Sequence, residues 1–142
     1  MVIKTKLDEG AYPLERAHDT DAGADIRTPH DVTVPAHGSA VIDTGVHVEL
    51  PDHTVGMLKS KSGLNVKDGI VSEGVIDEGY TGSVVVKLYN HGDKPVVIAK
   101  GAKVSQLVVL PVLYPSFVEV GEISGGPRGD AGFGSTGGRS DA

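Results

Sequence analysis

Within the stretch GVIDEGYTG, Gly74 to Gly82, Asp77 and Glu78 stand beside the phenol of Tyr80. A carboxylate within hydrogen-bonding reach of a water can orient and deprotonate it, so Asp77 is a candidate general base for hydrolysis. The competing reading is an ordinary polar turn. Upstream, KSKSGL at Lys59 to Leu64 gathers cations, hydroxyls and a glycine suited to phosphate oxygens. Its alternative is a solvated edge strand guarded by lysines. The glycine and lysine spacing is not that of a P-loop, and no helix is expected to follow. Near the carboxy terminus, Arg128 supplies a rigid charged fork, Phe133 lies between glycines, and the hydroxyls of Ser135 and Thr136 follow. Such a segment can wrap a phosphate chain and lay an aromatic ring over a nucleobase, or it can be a low-complexity tail.

These groups must be positioned by strands. No run of ten residues is free of both glycine and proline, whereas a usual helix needs about 11–12 residues. Only GLNVKDG leaves room for a short helical turn. Val46, Val48 and Leu50 alternate, and VVVKLY, VVI and KVSQLVVLPVL are short β-branched runs. Ala36-His37-Gly38, Pro51-Asp52 and Asn90-His91-Gly92-Asp93 separate them as turns, which predicts a sandwich, jelly roll or barrel. GVIDEGYTG then falls at a hairpin tip. Composition shifts near Ser124, which predicts a β-rich domain over 1–123 and a flexible glycine-rich arm over 124–142. The eighteen residues from Gly125 to Ala142 reach up to roughly 60 Å when extended.

Composition narrows the function classes. A net charge of −6 on 142 residues argues against a broad grip on nucleic acid, so a polyanionic ligand would need a few local Lys or Arg residues. Without cysteine there is no disulfide, thiolate metal site or cysteine nucleophile. The six histidines have no helical metal-binding spacing, and no serine sits in a nucleophile elbow. Lys4, Lys6, Asp8 and Glu9 interrupt the amino terminus, so neither a signal peptide nor a membrane span is expected and a cytoplasmic home is the default.

Taken in order, DAGADI at Asp21 to Ile26, KSKSGL, GVIDEGYTG, GAKVSQL at Gly101 to Leu107 and RGDAGFGSTG at Arg128 to Gly137 resemble the five motifs of the trimeric dUTPases. The resemblance implies an all-β, jelly-roll-like (β-clip) subunit and a homotrimer with shared active sites, each completed by a carboxy-terminal arm. It implies hydrolysis of dUTP to dUMP and pyrophosphate, with Asp77 activating the water that attacks the α-phosphorus. Mg2+ would be held mainly by the triphosphate, with Asp25 reaching it through water. Backbone groups around Gly74 and Ile76 would read uracil, and Tyr80 would exclude a ribose 2′-hydroxyl. Lys61, Ser62, Gly63 and Gln106 would hold phosphates. Arg128, Gly134, Ser135 and Thr136 would close over the triphosphate, with Phe133 covering the base.

Several positions depart from the family pattern. Lys61 and Lys103 replace arginines, keeping charge without the planar fork. Ala102 replaces an acid, and the segment from Leu64 to Gly74 is short. Two other functions fit parts of the pattern. A dCTP deaminase would need a general-base glutamate and attack at the pyrimidine ring. A nucleotide-sensing or partner-binding module would have kept the scaffold and lost chemistry.

Overall fold

The computed structural model describes residues 1–134, 136 and 137. Its strands are β1 (Lys4–Leu7), β2 (Gly23–Arg27), β3 (Val32–Val34), β4 (Ser39–Asp43), β5 (Val46–Glu49), β6 (Thr54–Lys59), β7 (Ile70–Ile76), β8 (Val85–Asn90), β9 (Val96–Ile98) and β10 (Lys103–Pro111), with one helix, α1 (Ser62–Asp68). A six-stranded sheet runs in the order β2-β10-β6-β7-β8-β4, and two ribbons pair β1 with β5 and β3 with β9. Every pairing is antiparallel. The architecture is all-β and jelly-roll-like, with distant segments brought side by side.

The alternation of side chains builds the core. In β8, Val86, Leu88 and Asn90 point inward while Val85, Lys87 and Tyr89 face out, so the apolar run VVVKLY resolves into a period of two. Val34, Ile42, Val86 and Leu88 are fully buried at the centre. Burying each such side chain contributes about 1.5–3 kcal/mol. The buried Asn90 is accommodated because its amide donates to the carbonyls of Val34 and Lys94 while its oxygen accepts from the Gly92 N–H, which closes the predicted Asn90–Asp93 turn.

Two expectations for KSKSGL are corrected. β6 lies between β10 and β7, so its lysines do not guard an edge. A short helix does follow, where GLNVKDG left room for a helical turn, the segment being free of glycine and proline from Leu64 to Asp68. It ends at Gly69, whose φ of 68° is the left-handed conformation that closes a helix. No residue of α1 is buried, and the helix lies on the surface.

Downstream, β10 ends at Pro111, so the chain leaves the sheet before the composition shift near Ser124. Beyond it, Leu113, Phe117, Val118 and Ile123 are exposed. No helix among the described residues is long and apolar enough to cross a membrane.

Candidate active site

Three strand segments meet around one buried carboxylate. Asp25 on β2 lies opposite Gln106 on β10, and Gln106 lies opposite Lys59 on β6. The Asp25 side chain is only 6% exposed, yet each oxygen has a cation: Lys61 Nζ at 2.5 Å from Oδ1 and Lys103 Nζ at 2.8 Å from Oδ2. Burial alone would raise the Asp25 carboxyl, but hydrogen bonds and charge from Lys103 and Lys61 more than reverse this and hold it below its ordinary value. Lys61 stands in extended conformation just ahead of α1, with Ser62 and Gly63 exposed beside it. Lys59 turns instead to Glu73, at 2.8 Å.

A polar network fixes the backbone that delivers Lys61. Gln106 Nε2 donates to the Ser60 carbonyl at 2.8 Å. Ser60 Oγ accepts from the Ser72 N–H and donates to the Ser72 carbonyl, tying the end of β6 to β7. Behind it, the buried hydroxyls of Ser72 and Ser105 lie 2.7 Å apart, and Ser105 donates to the Lys59 carbonyl. Gly23 lets the Gln106 amide lie close over β2, since a β-carbon would stand 2.2 Å from Gln106 Oε1 and displace that amide. The sequence offered the Ser60 hydroxyl to phosphate, whereas here it is engaged by Ser72, and only the β2-β10-β6-β7 order brings the three serines together.

The second group lies on the β7–β8 hairpin. β7 changes partner along its length: Ile70 to Ser72 pair with β8, whereas Glu73 to Ile76 pair with β6. Past Ser72 the side of β7 facing β8 has no ladder, so main-chain groups around Gly74 and Ile76 border an open cleft. The cleft, about 260 Å³, is lined by Leu58, Gly74, Ile76, Asp77, Tyr80 and Val85, among others.

The tip is a turn in which the Tyr80 N–H donates to the Asp77 carbonyl at 3.1 Å. Gly79 takes φ 88° at its third position, as a type II turn demands. Tyr80 folds back to donate its hydroxyl to the Ser83 carbonyl at 2.8 Å. A corner between β4 and β5 holds the rest of the loop. Ser83 Oγ donates to Asp43, Gly45 N–H donates to Ser83 Oγ, and Thr44 donates to the Val84 carbonyl. The Gly45 N–H also donates to Asp43 Oδ1 at 3.3 Å, and the Ser83 bond first and then this one lower the Asp43 carboxyl. His47 adds a ring nitrogen 2.8 Å from the Thr81 carbonyl and the other 3.0 Å from Asp8 Oδ2.

The arm residues stand apart from both groups. Arg128 donates to the carbonyls of Ala131 and Gly132, a local fold of the arm on itself. Phe133, Gly134 and Thr136 are exposed. Ser135 lies outside the described residues.

Lys61, Asp25 and Gln106 are thus brought together, and so are Gly74, Ile76, Asp77 and Tyr80, but at opposite ends of the β6–β7 ladder. Lys61 lies beyond the Lys59↔Glu73 rung and Asp77 beyond Gly56↔Ile76. At ~3.3 Å per residue the ladder alone separates the two ends by about 10 Å.

Fold and site define an all-β protein of jelly-roll type with a cation cluster at one place, a carboxylate-bearing hairpin cleft at another, and a trailing glycine-rich arm. The dUTPase family model matches residues 11–137, and the chain belongs to the dUTPase family. It is 42% identical over 135 residues to the deoxyuridine 5'-triphosphate nucleotidohydrolase of Clostridium acetobutylicum, covering 93% of each chain. Among solved structures it is similar to a mutant dUTPase of Staphylococcus bacteriophage 80alpha with dUpNHpp, with a TM-score of 0.88 and 30% identity over 95% of this chain and 98% of that one. A mutant dUTPase from phage phi11 of S. aureus, described with a structural Mg(II) ion, gives a TM-score of 0.79 and 30% identity over 86% of this chain and 98% of that one.

Proposed function

We propose that the protein hydrolyses dUTP to dUMP and pyrophosphate, with Asp77 as the base that activates water for attack at the α-phosphorus. The observation that carries this is the hairpin cleft, where Asp77, Tyr80 and the backbone of Gly74 to Ile76, without a ladder on its β8 side, face one volume. Main-chain donors and acceptors there suit the edge of a uracil, and Tyr80 suits the 2′ side of a deoxyribose. Family membership and the nucleotidohydrolase names of the relatives support the substrate.

The separation of Asp77 from Lys61 supports a homotrimer with shared sites. Lys61, Ser62, Gly63 and Gln106 of one chain would hold the phosphates of a nucleotide seated on a neighbour's hairpin. Arg128, Phe133, Gly134, Ser135 and Thr136 would close over it, since the arm makes only local contacts at Arg128 in the single chain.

Among the described residues no group of three metal-ligating side chains comes together. Mg2+ would then be held mainly by triphosphate oxygens, and Asp25 would reach its bound water once Lys61 or Lys103 turns from the carboxylate to phosphate. When bound, Mg2+ supplies charge stabilisation on the phosphate oxygens. A soluble cytoplasmic enzyme without nucleic-acid or membrane partners completes the reading.

Pyrophosphate release with Mg2+, compared for dUTP, dTTP, dCTP and UTP, tests the activity. Asp77→Asn should keep nucleotide binding and lose roughly 10²–10⁴-fold in turnover, the usual contribution of a positioned base. A near wild-type rate would remove Asp77 from that role. Ammonia release from dCTP would point to a deaminase, and tight dUTP binding without turnover to a sensing module.

A further inference from the structure

The tip that carries Asp77 is clamped from the other side by its neighbour. Glu78 Oε1 accepts two short hydrogen bonds, from the His53 N–H at 2.6 Å and from the Tyr114 hydroxyl at 2.7 Å. His53 belongs to the turn between β5 and β6, where it takes φ 58°, and its carbonyl accepts from the Val112 N–H at 2.9 Å. Its ring lies 5.4 Å from that of Tyr114. Three segments distant in sequence therefore meet at one carboxylate: the hairpin tip, the β5–β6 turn and the root of the arm.

Among the described residues, Val112 and Tyr114, at the root of the segment that leads from β10 to the arm, make its last hydrogen bonds to the body of the chain; those further along are local. Anchoring the arm is thus one candidate purpose for the contact, and a magnitude decides against it as the main one. Freeing residues 112 to 114 would lengthen a tether of some twenty residues by about three. Its effective concentration over a site would change by only roughly a quarter, given the three-halves power dependence on length. The effect on the hairpin is more direct. Glu78 occupies the second position of the Asp77–Tyr80 turn, so fixing its carboxylate fixes the peptide planes on which Asp77 stands.

We propose that Glu78, gripped by His53 and Tyr114, is a positioning residue for Asp77, and that the arm root is part of the frame of its own chain's hairpin. The proposal rests on Asp77 being the base. Tyr114→Phe removes a single hydroxyl, and Glu78→Ala removes the acceptor. Tyr114→Phe should lower kcat for dUTP roughly threefold to tenfold, the scale of one net hydrogen bond, and Glu78→Ala, which loses two, at least as much, each with KM within about twofold. On an Asp77→Asn background Glu78→Ala should have no further effect, because there is no base left to position.

Hydrogen exchange provides a readout independent of catalysis. In full-length Tyr114→Phe and Glu78→Ala, amides 77 to 80 should exchange faster while the core strands keep their protection. An unchanged kcat, a rise in KM alone, or additivity with Asp77→Asn would overturn the proposal. If the unaltered protein proves inactive on dUTP, the reading of Asp77 fails by that result, and the exchange of amides 77 to 80 still decides whether the clamp holds the tip.

Discussion

Lys61 Nζ lies 2.5 Å from Asp25 Oδ1, so the lysine expected to meet phosphate is paired with a carboxylate in the single chain. Lys103 occupies the other oxygen at 2.8 Å. Nucleotide binding would have to exchange part of this pairing for phosphate oxygens. Asp25→Asn leaves two partly buried cations without their counter-charge, and should cost about 1–3 kcal/mol in urea unfolding at neutral pH. The folded Asp25 carboxyl is held low, so its contribution is present above the unfolded value of about 3.9 and disappears as pH falls through the folded value. The gap between wild type and Asp25→Asn should therefore narrow below about pH 4. A gap that persists undiminished at lower pH would separate the destabilisation from the charge.

A β-carbon on Gly82 would lie 2.6 Å from the Tyr80 hydroxyl and 2.7 Å from Cζ, so the folded-back ring depends on glycine at this position. Gly82→Ala should push the ring from its bond with the Ser83 carbonyl while leaving the core intact. On the proposed role of Tyr80 at the 2′ side of the sugar, the preference for dUTP over UTP should fall by about tenfold in kcat/KM, within the range of a lost steric contact. An unchanged preference would mean that Tyr80 does not set it.

The all-β class was legible because glycine and proline break every longer run and the apolar residues between them alternate. The hairpin at Asp77 was legible from its turn chemistry. The place of KSKSGL was not, since an interior and an edge strand can carry the same lysines and only the β10-β6-β7 order distinguishes them. Pairing of Lys61 with Asp25 was hidden for the same reason: Asp25 reaches it through β10, a strand that follows it by some eighty residues in the chain. Ser60, Ser72 and Ser105 are individually unremarkable, and become a network only through the register that stacks them. The opposed placement of Asp77 and Lys61 follows from the β6–β7 ladder, which neither motif encodes by itself.

His47 bridges the Thr81 carbonyl and the Asp8 carboxylate, and only the doubly protonated ring can donate to both. These contacts, the Asp8 hydrogen bond foremost, raise its pKa above 6.5. Their contribution to stability is fully present below the unfolded value and is lost as pH rises through the folded one. The thermal midpoint should fall on going from pH 6 to pH 8 more steeply in wild type than in His47→Gln. Equal slopes in the two proteins would show that this bridge does not supply the pH dependence.

Removal of the arm separates fold from chemistry. Among the described residues Arg128 bonds only to its own segment and Phe133 is fully exposed, so ending the chain at Gly126 takes away no core contact of those residues. The melting temperature should stay within a few degrees. On the proposed role of the arm, turnover of dUTP should drop by roughly 10²-fold or more, since the truncated chain would no longer enclose the nucleotide or hold its phosphates in line with the attacking water. A truncated protein with an unchanged rate would leave Arg128 and Phe133 without a catalytic part. A truncated protein that unfolded would instead make the arm structural, since loss of turnover would then follow from loss of the hairpin that carries Asp77.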